Sequence, residues 1–578
     1  MNRSRHRTVQ ALGIGLGALV VILASTLWPA MPSATAASYT RISGDGSTWA
    51  GNAMNDWVTA IKAQGVTIDF NPDGSSAGRK NFAQGLSDFA VSEIPYTGDT
   101  ADPQDTSSPP AGSYAMLPVV AGGTSFMYNV QVGGKRFQTL QLSQAALAGI
   151  FSGQITTWND PAIQKTNPGV ALPAQRITVV VRSDGSGATA QFTLWMLRQF
   201  PQQYAALCAK AGCNPHAATS YFPYQGLSNF VAQSGSNGVT TYTANTPYTI
   251  NYDEYSYALG VGFPVAGIQN AAGFFTTPTA QGVAVALTQA KINQDKTSAN
   301  YLSQDLSNVY GYKDPRTYPI SAYSYMIEPT VTRDNFNNAK GATLAYFETF
   351  NVCEGQRTMG ALGYSPLPMN LVLASMDQIR KVPGIDAVTS QTIAQTQKGV
   401  ASGTGNPCNN PTFKPGDDPA HNVLIDTAPF PSGCNAACQA PWLGTNAATN
   451  HGPHGGGKGG PSNGGSHPTQ GAQGSPTTTP TAPTGTSSAT GSDGTAPPPG
   501  TVATSASTPV CDPDTGVCAA ANTADDGTQL TASPAVINGE AAWGPAQAAL
   551  ILCGLIALLM VFAPPFVLRM LDKKRTPR

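Results

Sequence analysis

The chain has 578 residues, 41% of them hydrophobic and only 11% charged, with a formal charge of −1. That is enough apolar material for two or three domains with real cores. So even a charge balance excludes the broad basic surface that DNA or RNA requires, and no nucleic-acid partner is expected.

In chain order, residues 1–37 open with Arg3, Arg5 and Arg7, pass through an apolar centre and end in the small-residue run SATAAS. This is the pattern of a secretory signal peptide, cut after Ala36 or Ala37. Residues 38–401 then alternate strand-like and helix-like pieces, among them VTIDF, a helix over 77–86, DFAVSE, MLPVVAGGTSFMYNV and a helix over 141–151. Such alternation predicts an α/β fold with a covered sheet. The region is long for one core, so two lobes are expected, one of about 38–118 plus 300–401 and the other of about 119–299.

Residues 402–444 form a Cys- and Pro-rich appendage with no function legible in them. Composition then turns to Gly, Ser, Thr, Pro and Ala, and 445–545 is predicted to be a low-complexity linker. Residues 546–568 are an apolar run of bilayer-spanning length, followed at 569–578 by a basic tail. Positive flanks stay in the cytoplasm, so a single-pass protein with its body outside the cell is expected. Of the nine cysteines only Cys553 falls in the apolar run. The other eight suit disulfides in an oxidising space. Proximity suggests 208/213, 434/438 and 511/518, leaving 353/408, although spacing does not establish connectivity.

Three strand-to-helix transitions share one chemistry. GDGSTW, at residues 44–49, precedes a helix with Met54, Trp57, Val58 and Ile61 on its apolar face. NPDGSSAGRK places Gly74, Ser75, Ser76 and Gly78 at a second helix start. The run ITVVVRSDGSGATAQFT ends a β-branched strand in Arg182, Asp184, Gly185, Ser186 and Gly187. Hydroxyls, free N–H groups and the positive end of a helix dipole all favour an anion, and Arg182 adds a fork of donors. Any one such turn also reads as a plain N-cap. The spacing fits neither a dinucleotide loop, because Trp49 stands where its last Gly belongs, nor a Walker loop, because DGSGATA has no Lys.

Hydrolytic chemistry finds no support. His216 is the only histidine of the two-lobed region and His421 lies in the appendage. There is no GxSxG elbow or metal-spaced histidine pair, so no catalytic residue, metal or cofactor is expected.

Taken together and in order, GDGSTW, DGSSAGRKNFAQGLSDFAVSEIPY (73–96) and VRSDGSGATAQFT (181–193) resemble the phosphate-binding proteins of high-affinity phosphate ABC transporters, the PstS family. The segment LSQAALAGIFSGQITTWNDPAIQKTNPGVALP and the later TPYTINYDEYSYA and TYPISAYSYMI fit the same layout, so the likeness covers about 39–400. The resemblance implies a two-lobed, hinged periplasmic-binding-protein-like fold that closes on one dehydrated phosphate and delivers it to permease and ATPase subunits. By motif it places phosphate contacts at Thr48, Trp49, Ser75, Glu93, Arg182, Ser186, Gly187 and Ala188, with Asp184 orienting Arg182.

A carboxylate such as Glu93 repels an anion unless that anion has a proton to donate, which phosphate has near neutral pH and sulfate lacks. Two residues depart from the family pattern, which has Asp at the Glu93 position and Thr at the Ala188 position. The hydroxyl missing at Ala188 predicts binding weaker by about 1.5–3 kcal/mol unless Thr189 or water replaces it. The rival reading is an anchored extracellular binding or adhesion protein with a relaxed or altered anion site.

Overall fold

The computed structural model describes residues 39–97 and 108–431. The predicted signal peptide, Cys434 and Cys438, Cys511 and Cys518, the linker, the apolar run with Cys553 and the basic tail lie outside the described residues. Among the described residues no helix is long and apolar enough to cross a membrane.

The chain begins with strand–helix units: β1 (Ile42–Gly46), α1 (Gly51–Lys62), β2 (Ile68–Asn71), α2 (Ser75–Ala83) and β3 (Phe89–Ser92). α1 buries Met54, Trp57 and Ile61, a helical stripe at spacings of three and four, against the sheet. Gly46 has φ of +139°, and a Cβ there would lie 2.2 Å from the Val91 carbonyl, so only glycine allows the chain to turn off β1 at that point. β4 (Tyr114–Ser125) is buried along its whole length, as expected of a central strand covered on both faces.

Beyond Ser125 the chain leaves this sheet, and Tyr128 bridges to Ile250 of a second one. The second sheet is built on β5 (Thr178–Arg182), whose β-branched run is buried between two parallel neighbours. Then come α3 (Gly187–Gln199), β6 (Phe230–Gln233), α4 (Gly235–Asn245) and β7 (Thr249–Asn251), and the strand order is β7-β5-β6. Phe126, Phe151, Phe192, Phe222 and Tyr252 pack ring against ring in its core.

The return crossing follows at once. β8 (Asp253–Glu254) pairs antiparallel with the end of β4, Asp253 opposite Ser125 and Glu254 opposite Thr124. The two connections between sheets thus run side by side, which is the geometry of a hinge. β9 (Ser321–Pro329) completes the first sheet in the order β8-β4-β9-β3-β1-β2. Helices α5 (Asn338–Val352), α6 (Met369–Ile379) and α7 (Ala387–Ala401) close the lobe. The two-lobed α/β architecture is therefore present. The expected lobe limits of 119 and 299 fall within β4 and in the stretch between β8 and β9.

Of the appendage, residues 402–431 are described and are tied to the first lobe. Cys408 forms a disulfide with Cys353, Asn410 and Thr412 donate to the Leu367 carbonyl, and Arg316 donates to the Ile425 carbonyl. Cys208 is bonded to Cys213, so both predicted pairs within the described residues form.

Beneath the first sheet, Glu328 of β9 and Glu348 of α5 are fully buried and face each other, with no other side-chain hydrogen-bond partner among the described residues. Burial raises both carboxyls above their ordinary range, and the charge of Glu328 raises Glu348 further, while Lys381 opposes the shift at Glu328. The folded protein then keeps protons that the unfolded chain releases, so the pair favours folding in acid and that contribution is lost as pH rises through neutrality. Glu348→Gln, which keeps the shape and cannot ionise, should flatten the fall in urea midpoint between about pH 6 and about pH 9. Parallel wild-type and variant curves would show that the pair does not titrate in that window.

Candidate functional site

Four strand-to-helix turns meet where the lobes face each other. The first lobe supplies the turns after β1 and β2, and the second lobe those after β5 and β6. Contact between them is direct: the Ser76 N–H donates to the Gly185 carbonyl at 3.1 Å, and the Ser76 and Ser220 hydroxyls pair at 3.0 Å. At Gly74, with φ of +109°, a Cβ would lie 2.8 Å from Asp184 Oδ2, so the two lobes meet backbone to side chain.

Arg182 sits at the end of β5 and is 1% exposed. Its Nε donates to Asp184 Oδ1 at 2.8 Å and its Nη2 to Asp184 Oδ2, a two-point grip that fixes the plane of the guanidinium. Nη1 faces Ser236 Oγ at 3.3 Å and Asp253 Oδ2 at 3.4 Å. Burial alone would lower the Arg182 pKa, but its carboxylate partners outweigh it and leave it raised. Asp184 is pushed up by burial and pulled down by Arg182 and the Gly235 N–H, and ends below its usual range. Asp253 makes a longer contact with Arg182 and accepts from the Ser236 hydroxyl and the Glu254 N–H, yet burial pushes it up to about 6.

Glu93 follows β3 at the floor of the cleft and is 1% exposed. Ser47 and Ser324 donate to its Oε1 at 2.6 and 2.7 Å, and Ser75 donates to Oε2 at 2.7 Å. The Gly187 N–H in turn donates to Ser75 Oγ at 3.1 Å across the cleft. A Cβ on Gly187 would stand 1.7 Å from Glu93 Oε2, so the carboxylate already occupies the space that any other residue would fill. The extra methylene of Glu over Asp carries the carboxylate up to the opposite lobe.

The remaining expected residues fall around these two clusters. Thr48 Oγ1 meets Ser236, and its carbonyl accepts from the Tyr257 hydroxyl. Trp49 is buried edge-on against Tyr364, whose hydroxyl bonds the Trp49 carbonyl at 2.7 Å. Ser186 caps α3, accepting from the Thr189 N–H at 3.3 Å. Ala188 is buried in the first turn of α3 and brings no hydroxyl. Thr189 does not stand in simply for it, because its hydroxyl is already paired with that of Tyr252 at 2.5 Å.

Sequence reasoning missed Ser236, Asp253 and Ser324, and it read Ser47 as part of the first turn without assigning it a contact. Ser236 was within reach: AQSGSN places the same Ser-Gly-Ser chemistry between a strand and a helix. Ser324 was not, since it comes from the middle of β9 and only the fold brings it to Glu93.

A family model described as a PBP superfamily domain matches residues 32–403. The phosphate-binding protein PstS 2 of Mycobacterium tuberculosis is 33% identical over 327 residues, which is 56% of this chain and 82% of that protein. This chain belongs to the PstS family of the PBP superfamily. Within that family the phosphate-binding protein PstS of Methanocaldococcus jannaschii is 29% identical over 354 residues, 58% of this chain and 85% of its own. The solved structure of a high affinity periplasmic phosphate-binding protein bound with phosphate aligns with 60% of this chain and 99% of that one, at 21% identity and a TM-score of 0.46. Among the described residues of this PstS-family chain, no group of three or more His, Cys, Asp or Glu side chains is placed to hold a metal.

The Gly187 contact has a direct consequence. Gly187→Ala should hold the lobes apart, because its methyl group meets both Glu93 Oε2 and Ser75 Oγ at less than contact distance. Small-angle scattering should then give a larger radius of gyration than for wild type in the same buffer. An unchanged radius would mean that the lobes do not close as described.

Proposed function

We propose that this chain is an extracytoplasmic receptor that binds inorganic phosphate and delivers it to the permease and ATPase subunits of an ABC importer. In this reading the apolar run 546–568 anchors it as a single-pass protein, the basic tail stays in the cytoplasm, and 445–545 is the stalk that lets the lobes reach the permease. The lobes divide at the crossings near 125–128 and 251–253.

The observation that carries the proposal is a buried, doubly gripped Arg182 facing helix-start donors from both lobes. Such an anion holds the lobes together, since each lobe supplies donors that the other lacks, and closure is driven by that difference in affinity. The ligand is bound by Thr48, the Trp49 N–H, Ser75, Arg182, Ser186, Gly187 and Ala188, the last two through backbone N–H groups. Glu93 accepts the ligand's proton, and its hydroxyl partners leave it acceptor capacity for one. Sulfate has no proton to give, so it meets a repelling carboxylate. The reading is one of binding: Arg182 and the turns hold an anion by donating hydrogen bonds to it.

Calorimetric titration of the full-length protein should show heat with phosphate and none with sulfate. Arg182→Ala should abolish the phosphate heat, and Ala188→Thr should tighten binding by about tenfold or more if the restored hydroxyl reaches the ligand. Equal binding of both anions, or undiminished binding by Arg182→Ala, would overturn the proposal.

A further inference from the structure

Ser236 lies in the first turn of α4, fully buried, at the fourth of the turns facing the cleft. Its backbone N–H donates to Thr48 Oγ1 at 3.3 Å, and its hydroxyl is placed to donate to the same atom at 2.8 Å. A threonine oxygen has two acceptor positions and one proton. The Ser236 N–H takes one of those positions, and the Ser236 hydroxyl takes the other when its proton points to Thr48, which leaves the Thr48 hydroxyl free only to donate. Thr48 belongs to the first lobe and Ser236 to the second, so this contact exists only when the lobes are together.

The same hydroxyl faces a competitor. Asp253 Oδ1 is 2.9 Å from Ser236 Oγ, and Arg182 Nη1 is 3.3 Å away. Arg182 can only donate, so Ser236 Oγ accepts from it and has one proton to share between Asp253 and Thr48. The residue therefore joins the cation of the site to the first-lobe turn through a single oxygen.

We infer that Ser236 is a positioning residue of the anion site: it fills the acceptor positions of Thr48 from across the cleft and thereby turns the Thr48 proton toward the bound anion. This rests on the phosphate reading above and deepens it. It also divides the labour of proton recognition, because a Thr48 without acceptor capacity cannot take the ligand's proton and leaves that to Glu93.

A double-mutant cycle on the full-length protein tests it, with phosphate affinity read by calorimetry for wild type, Ser236→Ala, Thr48→Val and the double variant. Ser236→Ala should weaken phosphate by about three- to tenfold, the worth of one ordinary hydrogen bond. In the Thr48→Val background the same change should cost nothing, and Ser236→Thr, which keeps the hydroxyl, should recover most of the loss. Additive losses, or no loss in Ser236→Ala, would overturn the inference while leaving the phosphate reading intact. A wild-type protein silent toward phosphate would sink that reading and this inference with it. Should Ser236→Ala not fold, Ser236→Cys, a much weaker donor of similar volume, takes its place in the cycle.

Discussion

The cleft is organised by a buried guanidinium. Arg182 is too expensive to bury alone, and its position at the end of β5 obliges the fold to bring carboxylates to it. Asp184 supplies two of the contacts from two residues along, and Asp253 supplies another from the strand that returns through the hinge. The pairing therefore reaches from the anion turn to the crossing between lobes. Removing Asp253 would leave Arg182 less restrained at the point where the second lobe pivots.

One arginine and three carboxylates, Asp184, Asp253 and Glu93, do not make an electropositive pocket. Recognition must come from directed donors instead: hydroxyls, backbone N–H groups and the positive ends of four helices. On the proposed reading, that arrangement rewards a ligand of the right shape and proton count, and gives little to a generic anion. Glu93 sharpens the point, because its three hydroxyl partners come from the turn after β1, from α2 and from β9 and lock it into the first lobe while its tip touches Gly187 of the second.

Much of this was legible in the sequence. The β-branched run before Arg182, the Gly-Ser turns and the helical stripe of Met54, Trp57 and Ile61 each announce a local structure whose physics needs no partner. The two disulfides within the described residues followed from cysteine proximity and remainder. What could not be read is what depends on register between distant segments. Ser324 reaches Glu93 only because β9 lies antiparallel to β3, and Asp253 reaches Arg182 only because β8 crosses back beside β4. Ser236 is different, a turn of the same kind as the other three that was overlooked.

The central claim is that one anion is held by donors from both lobes around Arg182. The most direct measurement is a crystal structure of the protein grown with phosphate and without sulfate. The account places a tetrahedral anion within hydrogen-bond distance of Arg182, of Thr48 and Ser75 from the first lobe, and of the Ser186–Ala188 turn from the second. Phosphate bound away from Arg182, or touching the donors of one lobe only, would contradict it.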